Sequence, residues 1–215
     1  MAYRATEHTK AKKAGTRNRI LKESRLLVAE GGFQTVAVAE VAKRSDIATG
    51  TIYRHFPSKG ELVAEVFRHA TEHELEAVTK ASQQSGNCQD RLIYAIETFA
   101  ERALQSPRLA YALIAEPVDQ LVEKERLSYR LAYAEAFEDV VNEGISVGEF
   151  VVQNATVTAA SLVGMLSEAL VGPLAPQMVT YEEQVGQREA LSEEEKLTLI
   201  REIKSLALRA VAGRV

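Results

Sequence analysis

The chain has 215 residues, 46% apolar and 26% charged, with a net charge of −4, which is the profile of a soluble globular protein of one or two domains with a sizeable core. Its lone cysteine, Cys88, excludes an intrachain disulfide framework and fits a reducing cytosol. No apolar run approaches the roughly 18 residues of a membrane span, and the first residues, MAYRATEHTKAKKAG, lack the apolar core of a signal peptide.

Helical periodicity runs through almost the whole chain. Residues 1–15 are polar and basic and read either as a mobile arm adding phosphate contacts or as a tail with no role. Thr16 is placed to cap a first helix running to about Glu30, with Ile20, Leu21, Ser24, Leu27 and Val28 as its core stripe. Gly31-Gly32 ends that helix through a left-handed cap, and Phe33 is expected to fold back onto it. Val38, Val41 and Ala42 then repeat at helical spacing, a break falls at Ser45-Asp46, and Ile47, Ile52 and Phe56 resume the pattern. The segment from Thr49 to Phe56 is too short to stand alone, because isolated helices below about 12 residues are marginal in water. Its only apolar residues are Ile52, Tyr53 and Phe56, while Thr49, Gly50, Thr51, Arg54 and His55 fill the other face. A short helix packed by one stripe and offering donors on the other suits the major groove of DNA.

The run Gly50-Thr51-Ile52-Tyr53-Arg54-His55-Phe56, followed by Pro57-Ser58-Lys59 and Leu62, closely resembles the third helix and the start of the fourth in the tetracycline-repressor (TetR) family of bacterial transcriptional regulators. The resemblance reaches back through Val38–Ala42, Gly31-Gly32-Phe33 and Ile20–Ala29, and covers roughly residues 16–68. Three places depart from the family pattern. Ser45-Asp46 stands where the turn usually has Ala-Gly, Ala48 where a Ser cap is usual, and Val36-Ala37 where two hydroxyl residues open the second helix. The charge distribution fits a DNA-binding head on an acidic body. Residues 1–60 hold twelve Lys and Arg against five Asp and Glu, and the remainder holds 14 against 25.

The fourth helix is expected from a Ser58 cap, with Glu61 three residues on, to about Gln83. His69 and His73 on it lie at i and i+4, but no third metal ligand is evident. Asn87 or Asp90 starts a fifth helix, broken at Ser106-Pro107. A short sixth spans Arg108 to Ala115 and ends at Glu116-Pro117. A long seventh runs from Val118 to about Glu143. Ala155 to Val171 is a helix rich in small residues, stopped by Gly172-Pro173. Residues 177–190 read as a loop, and Ser192-Glu193-Glu194-Glu195 is a capping box opening a last helix to Ala212.

The expectation is therefore an all-α fold of about nine helices. A three-helix DNA-binding head with a helix-turn-helix occupies residues 1–60, and a C-terminal helical bundle for effector binding and dimerisation occupies 61–215. There is no Gly-rich phosphate loop, Cys/His cluster or nucleophile elbow, so neither an enzyme nor a metal or cofactor is expected. The resemblance implies a cytoplasmic, nucleoid-associated bacterial repressor that binds a palindromic double-stranded DNA operator as a homodimer and is released by a small hydrophobic effector. The alternative is an all-α ligand-binding or scaffold protein whose helix-turn-helix serves protein contact. On the family pattern, Thr49, Gly50 and Thr51 meet base edges, Arg54 reaches a base or a phosphate, and Tyr53, His55 and Lys59 hold the backbone. The effector pocket is expected around Phe99, Arg102, Tyr111, Tyr133, Phe137 and Glu168. The polar members of that set can equally serve hydrogen bonds between helices. The dimer interface is expected on the last two helices: Ala160, Gly164 and Met165 on one, and Ile200, Ile203, Ala207 and Val211 on the other.

Overall fold

The computed structural model describes residues 7–175 and 191–212. The first residues of the expected arm and the expected loop at 177–190 lie outside this range. Among the described residues there are nine α-helices and one 3-10 turn, and no strand. The helices are α1 (Glu7–Gly31), α2 (Val38–Arg44), α3 (Thr49–His55), α4 (Lys59–Ser82), α5 (Cys88–Gln105), α6 (Pro107–Ile114), α7 (Gln120–Ser146), α8 (Ala155–Leu174) and α9 (Glu193–Ala212), with the 3-10 turn at Phe33–Thr35. The all-α expectation holds.

Two apolar clusters organise the chain. The first gathers Ile20, Leu21, Val28, Phe33, Val41, Ile52 and Phe56 from the head with Leu62 and Phe67 of α4, and it also takes in Leu109, Ala112 and Val122. The head core therefore does not stop at residue 60; it continues along α4 to Ala70 and is closed by α6 and α7. The second cluster fills the body, where α5, α7, α8 and α9 bury Ile96, Phe137, Leu166, Ile203 and Ala207 among others.

Most helix starts are capped as their sequences indicate. Ser58 accepts from the Glu61 amide (3.1 Å), Asn87 from Asp90 (2.8 Å) and Asn154 from Val157 (3.0 Å). Asp119 caps α7 by accepting from Leu121 and Val122, which moves that helix start two residues beyond Val118. At α9, Ser192 and Glu195 exchange reciprocal hydrogen bonds. Two ends differ from expectation. The first helix begins at Glu7 rather than at a Thr16 cap, and the Thr16 hydroxyl donates to the Lys12 carbonyl one turn earlier. Gly172-Pro173 does not stop α8, which continues to Leu174. A proline so close to the end removes little of the hydrogen-bond ladder.

Helix α8 is also long and apolar enough to cross a membrane by length and composition alone. Counting uninterrupted apolar residues misses it because Thr, Ser and Glu interrupt the run. Its Ala159, Leu162, Leu166 and Leu170 are buried in the body core, so protein already covers that side.

Within the helix-turn-helix, two departures from the family pattern leave visible marks. Asp46 occupies a left-handed conformation (φ 50°), the conformation for which glycine is best suited. Ala48 has the extended backbone of an N-cap but no side chain to cap with. Replacing Ala48 with Ser is expected to stabilise the protein by about 1 kcal/mol, measured as an upward shift of the urea midpoint at unchanged slope.

Candidate functional site

Helix α3 is fixed by Ile52, which is 1% exposed, and by Phe56 at its C-terminal boundary. Burying that stripe turns Thr49, Gly50, Tyr53 and Arg54 to solvent, with Thr51 and His55 half-buried beside them. A Cβ placed on Gly50 would meet nothing within 4 Å, so the fold itself does not demand glycine there. Lys59 is exposed at the first position of α4, where its charge adds to the positive end of the helix dipole. The residues expected to touch DNA are thus gathered on one side of the head.

Behind that face, Arg17 of α1 stacks over the Phe56 ring (5.0 Å to its centroid) and pairs with Glu65 of α4. Glu65 also pairs with Arg68, which reaches Glu125 of α7 (2.9 Å). His55 lies against this group with Nδ1 buried and without a hydrogen-bond partner. Its pKa is lowered, first by burial and then by the charges of Lys13 and Arg17.

The second feature is a cavity of about 80 Å³ between α4, α5, α6, α7 and α8. Phe67, Val78, Phe99, Leu109 and Ile114 supply apolar wall, while Glu74, Arg102, Tyr133 and Ser167 bring polar atoms to it. Of the six expected pocket residues, Phe99, Arg102 and Tyr133 line it. Tyr111, Phe137 and Glu168 do not. Phe137 is wholly buried in the body core, Tyr111 packs against that core, and Glu168 faces solvent one position past Ser167. The sequence missed Phe67, Thr71 and Glu74, because α4 reads as a linker of surface charge unless its buried side is known.

The cavity is mechanically joined to the head through α6. At one end of that helix, Arg108 donates to the Gly31 carbonyl (2.6 Å). Just past the other end, the Glu116 carboxylate accepts from the Phe33 amide (3.1 Å). Arg126 of α7, itself on the cavity wall, donates to the carbonyls of Leu113 (3.0 Å), Ala112 (3.3 Å) and Glu116 (2.7 Å). These orphan carbonyls at the end of α6 are therefore held by one guanidinium.

The expected dimer surface needs correction. Ile200, Ile203, Ala207 and Val211 are buried inside the chain, Ala207 at 0% exposure, because α5 and α8 cover the apolar stripe of α9. Met165 is half-buried against the same core. Ala160 and Gly164 do face outward, with Val157 (61% exposed) on the same helix and Leu197 and Leu206 exposed on α9.

Residues 20–66 match the family model described as bacterial regulatory proteins, tetR family. Those residues form a tetR-family head. The chain is 28% identical over 142 residues to the transcriptional repressor KstR2 of Rhodococcus jostii, a match covering 64% of this chain and 69% of that protein. It is 30% identical over 97 residues to the repressor KstR of Mycolicibacterium smegmatis, covering 45% and 48% respectively, so the chain spans about half of that relative. The fold superposes on the regulator FadR from Bacillus subtilis, solved in complex with stearoyl-CoA, with a TM-score of 0.70 at 17% identity over 92% of this chain and 98% of that one. The family's relatives are regulators of transcription rather than enzymes.

A titration follows from the position of His55. In the free protein, burial and then the Lys13 and Arg17 charges lower its pKa, which favours the neutral imidazole. A DNA phosphate beside it favours the charged form and raises that pKa. Binding then takes up a proton, and operator affinity is expected to rise as pH falls from 8 to 6. The His55→Gln variant should lose that dependence, as read by fluorescence anisotropy at constant ionic strength.

Proposed function

We propose that this chain is a transcriptional repressor that reads a palindromic operator through α3 as a homodimer in the bacterial cytoplasm, and is released by a small, largely apolar effector bound in the cavity beside α6. The observation that carries this reading is the link from the cavity through α6 to the C-terminal end of α1. A cavity whose wall helix is hydrogen-bonded to a DNA-binding head is placed to shift the head. Release requires that the effector bind the DNA-incompetent arrangement more tightly than the competent one.

Contacts are assigned as the family pattern suggests and as the exposed face supports. Thr49, Gly50 and Thr51 meet base edges, Arg54 meets a base or phosphate, and Tyr53, His55 and Lys59 meet the backbone. The decisive experiment is a mobility shift of the purified protein on its own upstream DNA across a salt series. Lys59→Ala is expected to weaken specific and random DNA alike and to lower the salt slope by about 1. Gly50→Val should abolish specific binding while leaving the melting temperature unchanged, because nothing lies within 4 Å of the added carbon in the free protein. Retained operator affinity in Gly50→Val removes α3 from the base edges.

The dimer is assigned to the outward faces of α8 and α9, now centred on Val157, Ala160, Gly164 and Leu206. Small residues there allow two helices to approach closely, and two heads on a two-fold axis give useful specificity. Gly164 has open space around its Cβ position, so a large side chain there does not disturb the monomer fold. Gly164→Arg is expected to run as a monomer in light scattering and to lose about 100-fold or more in operator affinity, since the second head no longer binds intramolecularly.

The acyl-CoA held by the Bacillus FadR structure exceeds what a space of about 80 Å³ accepts. An effector with a long chain would require α6 or α4 to move, which is the movement that release needs.

A further inference from the structure

Most polar side chains on the cavity wall are already committed. Arg102 donates through Nε and Nη2 to Glu74 (2.5 and 3.2 Å). Arg126 is taken by three carbonyls and by Glu123. The Tyr129 hydroxyl donates to Glu72 (3.0 Å), and that of Thr71 to the Phe67 carbonyl (2.9 Å).

Tyr133 differs from these. It is 8% exposed, and its ring stands edge-on to Phe99 at 5.4 Å. It lines the cavity, yet its hydroxyl has no hydrogen-bond partner among the described residues. Burial, and after it the Glu74 carboxylate, pushes its pKa up, so the phenol keeps its proton at any physiological pH. The hydroxyl is open to the cavity it lines, where water serves it until something better arrives.

The neighbours restrict what that partner is. Arg102 is neutralised by Glu74 and Arg130 is exposed to solvent at the wall, so no buried, unspent cation beside Tyr133 compensates the desolvation of an anion. Arg102, Arg126 and Arg130 on the same wall oppose a cation. What remains is a neutral acceptor on an apolar body.

We propose that the cavity selects an uncharged, largely apolar molecule bearing a carbonyl or hydroxyl oxygen, and that Tyr133 donates the hydrogen bond that distinguishes it from a hydrocarbon of the same shape. This rests on the reading of the cavity as the effector site. It adds the ligand's chemical class and the residue that sets it.

The test uses the full chain and three naphthalenes of matched size: neutral 2-acetylnaphthalene, apolar 2-ethylnaphthalene and anionic 2-naphthoate, titrated by calorimetry. The wild type is expected to bind the acetyl compound about tenfold more tightly than the ethyl compound, and the naphthoate more weakly than the acetyl compound. Tyr133→Phe, which keeps the ring and its packing, should bring the acetyl affinity down to that of the ethyl compound. Its affinity for the ethyl compound should stay within about twofold, which shows that the variant is folded. A preference for the acetyl group that survives Tyr133→Phe, equal binding of the two neutral compounds by the wild type, or tightest binding of the naphthoate overturns the inference while leaving an effector cavity in place. Failure of the wild type to bind any of the three overturns both the inference and that cavity assignment.

Discussion

Glu116 is a carboxylate with almost no access to water, at 2% exposure, and the joint between head and body is built around it. One of its oxygens accepts from the Phe33 amide, and the other has no hydrogen-bond partner. The backbone it grips is equally constrained. Gly32 has φ 82°, and a Cβ there would overlap both the Glu116 carboxylate and the Arg108 guanidinium. Only glycine satisfies both the conformation and the contact. Removing the amide that Glu116 binds would cost on the order of 1.5–3 kcal/mol, the worth of a hydrogen bond to a charged group. Phe33 follows directly in the chain and packs on Phe67 of α4 at 6.0 Å. The attitude of the head on the body is therefore set at this joint.

Helix α3 depends on the same arrangement. It spans seven residues and lacks a side-chain cap, so its stability is tertiary rather than local. Ile52 and Phe56 seat it in the head core, and Arg17 covers Phe56. From Arg17 a line of ion pairs crosses Glu65 and Arg68 to Glu125 on the body. Pairs as exposed as these contribute little to stability individually. Their consequence is positional, because they tie the side of α1 under the recognition helix to α4 and α7.

The head was legible because its residues do two jobs at once. The spacing of Ile20, Val41, Ile52 and Phe56 encodes a core, and the motif around Gly50-Thr51-Ile52-Tyr53 encodes a family. The body has the first kind of signal only. An apolar stripe says that a helix is covered, not by what, and this is why Ile200, Ile203, Ala207 and Val211 read as an interface although α5 and α8 cover them within the chain. Of that expected set, Ala160 and Gly164 do face outward. The extension of α1 back to Glu7 has no apolar period to announce it. The role of Glu116 at the joint is not legible in the sequence, because a carboxylate's burial depends on an amide 83 residues away. Half of the expected pocket residues, Phe99, Arg102 and Tyr133, line the cavity, and they are polar and aromatic residues inside helices. The rest of its wall comes from α4, α6, α7 and α8 as well as α5.

On the proposed function, the size of the cavity fixes the sign of the coupling. A site for a drug-sized ligand is about 300–1,000 Å³, and the space here is about 80 Å³. A ligand that fills more must displace α4, α6 or α7, and each of these carries bonds to the head. The arrangement that binds such a ligand best is one in which some of those bonds are broken, so ligand and DNA favour different states. Moving a population from 1:99 to 99:1 takes about 5.5 kcal/mol of differential affinity. The bonds at stake are Arg108 to the Gly31 carbonyl and Phe33 to Glu116. Hydrogen bonds to charged groups are worth about 1.5–3 kcal/mol each. Two of them therefore hold the head with a strength comparable to what one small ligand can supply. A joint with many more such bonds would not release, and a joint with none would not transmit.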